Sequence, residues 1–134
     1  GHMSIESHGW DHLHPVLDKV AQLDGIAGDF RRIEHFDDCD QQLHRSAQTI
    51  AQISGRRPKY FAFPWGQYSD YLSGQYLPEQ RDRHGYCAAF STAGRAVRRN
   101  DNRWCLPRFV CGEHWDSARS LLKLVQASGQ LQPG

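Results

Sequence analysis

The sequence predicts an α/β domain with a mainly parallel sheet. Three observations carry this. Strand-like and helix-like segments alternate along the 134 residues. That length suits one small domain. Hydrophobic residues make up 39% and charged residues 23%, and six Phe, five Tyr and four Trp supply bulk for a core.

Gly1-His2-Met3 reads as an expression-vector scar, which leaves residues 4–134 as a single domain. Ser4 to Ser7 is expected to end a strand, and a His- and Gly-rich loop follows to Pro15. Residues 16–29 are ambiguous, a weak helical pattern broken by Gly25 and Gly28. A helix is expected from about Phe30 to Ile53, because Leu43, Ala47 and Ile50 fall at i, i+4 and i+7. A later start would use Asp37 or Asp38 as its cap, and Gly55 fits just past its end. Tyr60 to Phe63 is a buried-strand signal that Pro64 stops, so Pro64-Trp65-Gly66 must turn. Ser69 or Asp70 caps the next helix, which Pro78 interrupts and Gly85 ends. Tyr86 to Ser91 reads as a second buried strand, Thr92 to Arg103 as a polar loop, and Leu106 to Val110 as a strand. Ser117 to Ser128 closes the chain as an amphipathic helix, with Leu121, Leu122 and Val125 expected to face the core and Gly129 to stop it.

Charge excludes some functions. Sixteen Lys and Arg against fifteen Asp and Glu leave a net charge of +1. That is no electrostatic footprint for nucleic acid or an anionic membrane. Arg95, Arg98, Arg99 and Arg103 cluster without interleaved aromatics, which favours a solvated loop over the alternative of a phosphate-binding site. No apolar run approaches the ~20 residues of a membrane span. With no signal peptide in this chain, a natural start near Met3 points to the cytoplasm. The cysteines at 39, 87, 105 and 111 form no C-x-x-C pair, so free thiols are expected, with Cys87 in the core.

Three places concentrate chemistry. His8 and His12 are four residues apart, and on a helical turn both imidazoles point the same way and chelate one ion. With eight His in the chain the spacing alone also fits two loop histidines. Pro64, Trp65, Gly66 and Tyr68 follow a strand, where an aromatic wall suits stacking on a sugar ring and exposed amides suit a developing oxyanion. The alternative is a structural turn with Trp65 in the core. Arg108 lies among apolar residues, either orienting an acidic group in a cleft or reaching solvent from a strand end.

Taken in order, these elements resemble the polysaccharide deacetylase family, the NodB-type or chitin-deacetylase-like hydrolases. Residues 5–12 (IESHGWDH) are similar to the family's second motif, and residues 54–68 (SGRRPKYFAFPWGQY) to its third. Residues 84–92 and Leu106-Pro107-Arg108 are similar to the strands that follow. The resemblance implies a partial, irregular (β/α) barrel with its site at the C-terminal mouth of the strands. It implies zinc or another divalent transition metal held by His8 and His12 and a carboxylate. The reaction implied is removal of N-acetyl groups from a hexosamine polysaccharide or oligosaccharide by metal-activated water.

The family's first motif, with its two aspartates, is expected upstream of Ile5, where only residues 1–4 lie. Asp11 is then the nearest carboxylate to the two histidines, and a metal so held is expected to exchange readily. Glu34 to Asp38 falls on the expected helix, as a solvated face or a cap. The family's late "Leu-x-x-His" pattern does not occur, and His114 is the one late histidine left for the general-acid role. The alternative function is a catalytically inactive remnant that binds a glycan or a protein. Missing early strands would leave an open sheet edge, so a homo-oligomer is expected.

Overall fold

The structure is a computed structural model, and it describes residues 3–11 and 30–129. His12 and the ambiguous stretch 16–29 therefore lie outside the described residues.

The chain enters at Phe30–Arg32 as a single 3-10 turn that buries Phe30. The first long helix, α1, runs over residues 36–54 in three joined parts: an α turn Phe36–Cys39, a π segment Asp40–His44 and an α segment Arg45–Ser54. It starts later than Phe30 because His35 is extended (φ −123°, ψ 147°). Asp37 and Asp38 then fall in its first turn, where a negative charge suits the dipole. Gly55 ends it in the left-handed conformation (φ 72°), and Gly55 N donates to Ala51 O at 2.9 Å.

Strand β1 is Tyr60–Ala62 and strand β2 is Ala88–Phe90. They pair in parallel, with Phe61 opposite Ala89. Single parallel bridges extend the pair on both sides, Ser7 to Phe61 and Phe90 to Leu106. The spatial order is thus Ser7, β1, β2, Leu106, in chain order. A parallel pair needs a crossover, here made by helix α2 (a π segment Leu72–Tyr76 continued by Leu77–Glu79) and helix α3 (Arg81–His84). Ser69 caps α2, accepting from Leu72 N at 3.0 Å and donating to Ile33 O. Mixed helix and strand with a small parallel sheet fits the α/β expectation; among the described residues the sheet does not close into a barrel.

The core lies between the sheet and α1 to α3. Phe30, Phe61, Phe63, Leu72, Tyr76, Tyr86 and Trp104 are buried together with Leu43 and Ala47 of α1. Phe61 meets Phe63 at 5.3 Å and Tyr86 at 5.5 Å between ring centroids. Burial of such rings dominates the stability of a domain this size. Asp40 joins three helices: it pairs with Arg83 at 2.5 and 2.8 Å and accepts from Tyr76 Oη at 3.0 Å. The Arg83 hydrogen bond holds its carboxyl below the usual range.

Four expectations are corrected. Leu106 to Val110 is no strand, for only Leu106 bridges β2; Pro107 has no N–H to continue a ladder. The break between α2 and α3 falls at Gln80 (φ −101°, ψ 25°), two residues after Pro78, which is tolerated in the first turn of its segment. The last helix, α4 (Ala118–Gly129), runs through Gly129 and has no buried residue. Leu121 and Leu124 are half-buried, whereas Leu122 and Val125 are 55% and 58% exposed, so only one edge of the apolar stripe is covered. Cys87 is exposed, and Cys39 is the core thiol, its pKa pushed up by burial. All four cysteines are free.

Candidate functional site

Parallel pairing carries the distinctive residues to one edge. Ser7, Ala62 and Phe90 end neighbouring segments, and the residues after each emerge side by side. The His8 loop meets the end of β1 there, just ahead of the Pro64 turn: His8 Nδ1 lies 2.6 Å from Ala62 O. A carbonyl can only accept, so Nδ1 carries the proton and Nε2 the lone pair of the neutral ring. That is the arrangement of metal-ligating imidazoles, whose second nitrogen is tied to a carbonyl or carboxylate.

The loop after His8 is held by helix α1. Gln42 Oε1 accepts from Trp10 N at 3.0 Å and Asp11 N at 3.4 Å, and Gln42 Nε2 donates to Asp11 Oδ1 at 2.6 Å. Ser46 Oγ and Ser7 Oγ are 2.7 Å apart. The Arg45 guanidinium lies over the Trp10 ring, 3.9 Å from its centre. Nothing in the motif pattern of the loop points to Gln42. The available signal is on the helix, where Gln42 and Ser46 sit beside Leu43 and Ala47, polar residues on a buried stripe.

The turn after β1 presents Trp65 to solvent, 71% exposed, and rules out a core role for it. Trp65 adopts φ 56° and Gly66 φ 70°. A non-glycine residue in that region costs about 1–3 kcal/mol and marks functional turns more often than plain ones. Gly66 admits no larger residue, since a Cβ would overlap the Thr92 side chain that follows β2. Gly66 N and Gln67 N donate to Phe63 O and Pro64 O, so neither amide serves an oxyanion. Tyr68 turns inward: its ring packs on Phe63 at 5.2 Å, and burial, then Cys105, raises its pKa.

Arg108 reaches the same edge, its Nε donating to Ser91 O at 3.0 Å. Further on, His114 belongs to a short turn closed by a Cys111–Trp115 bridge. Val110 N donates to His114 Nδ1 at 2.9 Å, so the neutral ring keeps its proton on Nε2. Glu113 Oε1 lies 3.7 Å from that nitrogen. His8, Trp65 and Arg108 are thus brought to one edge, Tyr68 is not presented there, and His12 lies outside the described residues. Among the described residues no group of three His, Cys, Asp or Glu is gathered for a metal ion, and no helix is long and apolar enough to cross a membrane.

The sequence profile of the polysaccharide deacetylase family matches residues 1–78. The chain belongs to the polysaccharide deacetylase family. In this member of the polysaccharide deacetylase family the match spans the segments His8 to His12 and Pro64 to Tyr68 and leaves Arg108 and His114 beyond it. No curated protein and no solved structure matches the chain.

Proposed function

We propose that this chain carries metal-facing and sugar-facing loops of a metal-dependent hydrolase that removes N-acetyl groups from a hexosamine polysaccharide. One observation carries the reading: the His8 Nδ1 bond to Ala62 O, which ties the His8 loop to the end of β1 just ahead of the Pro64 turn and makes Nε2 the lone-pair nitrogen of the neutral ring. His8 and His12 are the imidazole ligands and Asp11 the oxygen ligand of zinc or another divalent transition metal. When bound, the ion polarises the acetamide carbonyl and lowers the pKa of water. Trp65, on a strained turn backed by Pro64 and Gly66, stacks on the sugar ring. Tyr68 supports that turn from behind through Phe63. Arg108 orients an acidic group at the cleft edge. His114 serves as general acid only as the imidazolium, formed when Nδ1 gives up its bond from Val110 N and takes a proton; Nε2 then passes its proton to the leaving amine as acetate forms, and the ring returns to neutral.

A second reading rests on Trp65. An exposed ring on a rigid turn also serves a domain that holds a glycan without turnover. Metal content by elemental analysis separates the two readings. About one zinc per chain, lost in His8→Ala, with acetate released from short N-acetylglucosamine oligomers, is the expected result. No metal after incubation with excess zinc would remove the hydrolase reading and leave the glycan-binding one.

A further inference from the structure

Gln42 is 2% exposed, on the core-facing side of α1 next to Leu43. A buried amide is costly unless its hydrogen-bonding groups are met. Among the described residues one loop meets them with two backbone donors and one carboxylate oxygen, from Trp10 and Asp11, across 32 and 31 residues of sequence. Ser46 and Arg45 grip the same loop at Ser7 and Trp10. Of these helix side chains Gln42 alone bonds to a side chain with metal-binding chemistry. Only an amide fits both halves of the task. Its oxygen takes the loop amides while its nitrogen directs Asp11 Oδ1.

We propose that Gln42 is the positioning residue of the His8–Asp11 loop, fixing its backbone and aiming the Asp11 carboxylate so that the loop meets a divalent cation with its donors already arranged. The cation half of this rests on the metal reading above; the clamp half stands without it.

Two readouts on the full chain test it. The first needs no metal. In Gln42→Met, amide hydrogen exchange at Trp10 and Asp11 should quicken about tenfold or more, while amides of Ala47 and Ile50 keep their rates. Gln42→Glu keeps the acceptor but sets a carboxylate against Asp11 Oδ1, so exchange at Trp10 and Asp11 should again quicken while the helix amides keep their rates; unchanged exchange in this variant overturns the clamp even if Gln42→Met fails to fold. Leu43→Ala is the control for general loosening, in which helix and loop amides should quicken together. Unchanged exchange in Gln42→Met, or equal quickening of loop and helix, overturns the clamp. The second readout is Co²⁺ titration followed by its visible absorption. Gln42→Met should bind about 10–100-fold more weakly, with weakened bands. Loosened amides with wild-type Co²⁺ affinity overturn the aiming role. A wild-type chain that binds no Co²⁺ overturns the metal reading itself, and the exchange rates still judge the clamp.

Discussion

At the scale of single residues, buried polar groups are tolerable where they find partners; among the described residues Gln67 Oε1 is an exception, and His84 shows the rule. His84 is wholly buried among Tyr76, Tyr86 and Trp104. Nδ1 accepts from Tyr86 N at 2.9 Å, so the proton sits on Nε2, which donates to Leu77 O at 2.9 Å. Both bonds suit the neutral ring, and burial lowers the pKa below its ordinary 6.5. The unfolded chain therefore takes up a proton near pH 6.5 that the folded chain refuses until lower pH. His84 then costs no stability above pH 6.5, and stability falls as pH drops from there towards the lowered folded value. Urea unfolding between pH 7.5 and 5.5 should show that fall. In His84→Gln the slope should shrink by up to one proton, about 1.4 kcal/mol per pH unit. An identical slope in the variant would place the pH sensitivity elsewhere.

At the scale of elements, the two turns that end α1 and β1 both rely on a left-handed glycine, for different reasons. Gly55 has nothing within 4 Å of the position a Cβ would take. Gly55→Ala therefore pays only for backbone conformation, about 1 kcal/mol. Gly66→Ala pays that and also pushes on Thr92, so it should cost clearly more and disturb the Pro64 loop. Thermal unfolding of the two variants side by side checks the order, and equal costs would mean that the Thr92 loop simply gives way. Much of α1, its glycine end and the strand at Tyr60 was legible from periodicity and punctuation. Leu106 to Val110 was not, because apolar content signals burial and not pairing. Pro107 denies the ladder a donor, and Arg108 spends its Nε on Ser91 O, so the segment lies beside the sheet and bridges it only at Leu106.

At the scale of the whole molecule, the apolar surface is arranged unevenly. Ile5 and Tyr60 are exposed near the sheet edge, and Leu122 and Val125 on α4. Ser7 is bridged to Phe61 on one side only among the described residues. Edges and stripes of this kind are usually covered. The expected outcome is self-association that rises with concentration, read by light scattering. Mass that stays at one chain over the whole series would count against it. Leu122→Glu combined with Val125→Glu should weaken the association if α4 takes part, with little loss of fold stability, since these side chains pack on nothing in the core.

The sequence by itself determined the family, the α/β class and the two loops proposed to carry the chemistry, because motif spacing and turn punctuation are local in the chain. It also determined His8 as a candidate ligand and Trp65 as a candidate sugar platform. Three things waited for the tertiary structure. The His8 loop meets the end of β1, just ahead of the Pro64 turn, because parallel pairing sets Ser7 beside Phe61, more than fifty residues away in sequence. Tyr68 turns in and Trp65 turns out because a left-handed backbone at Trp65 reverses the turn. Gln42 clamps Asp11 because helix α1 lays its polar stripe across the loop. Each is a contact between distant segments, and hydrogen bonds between distant segments leave no period in a sequence.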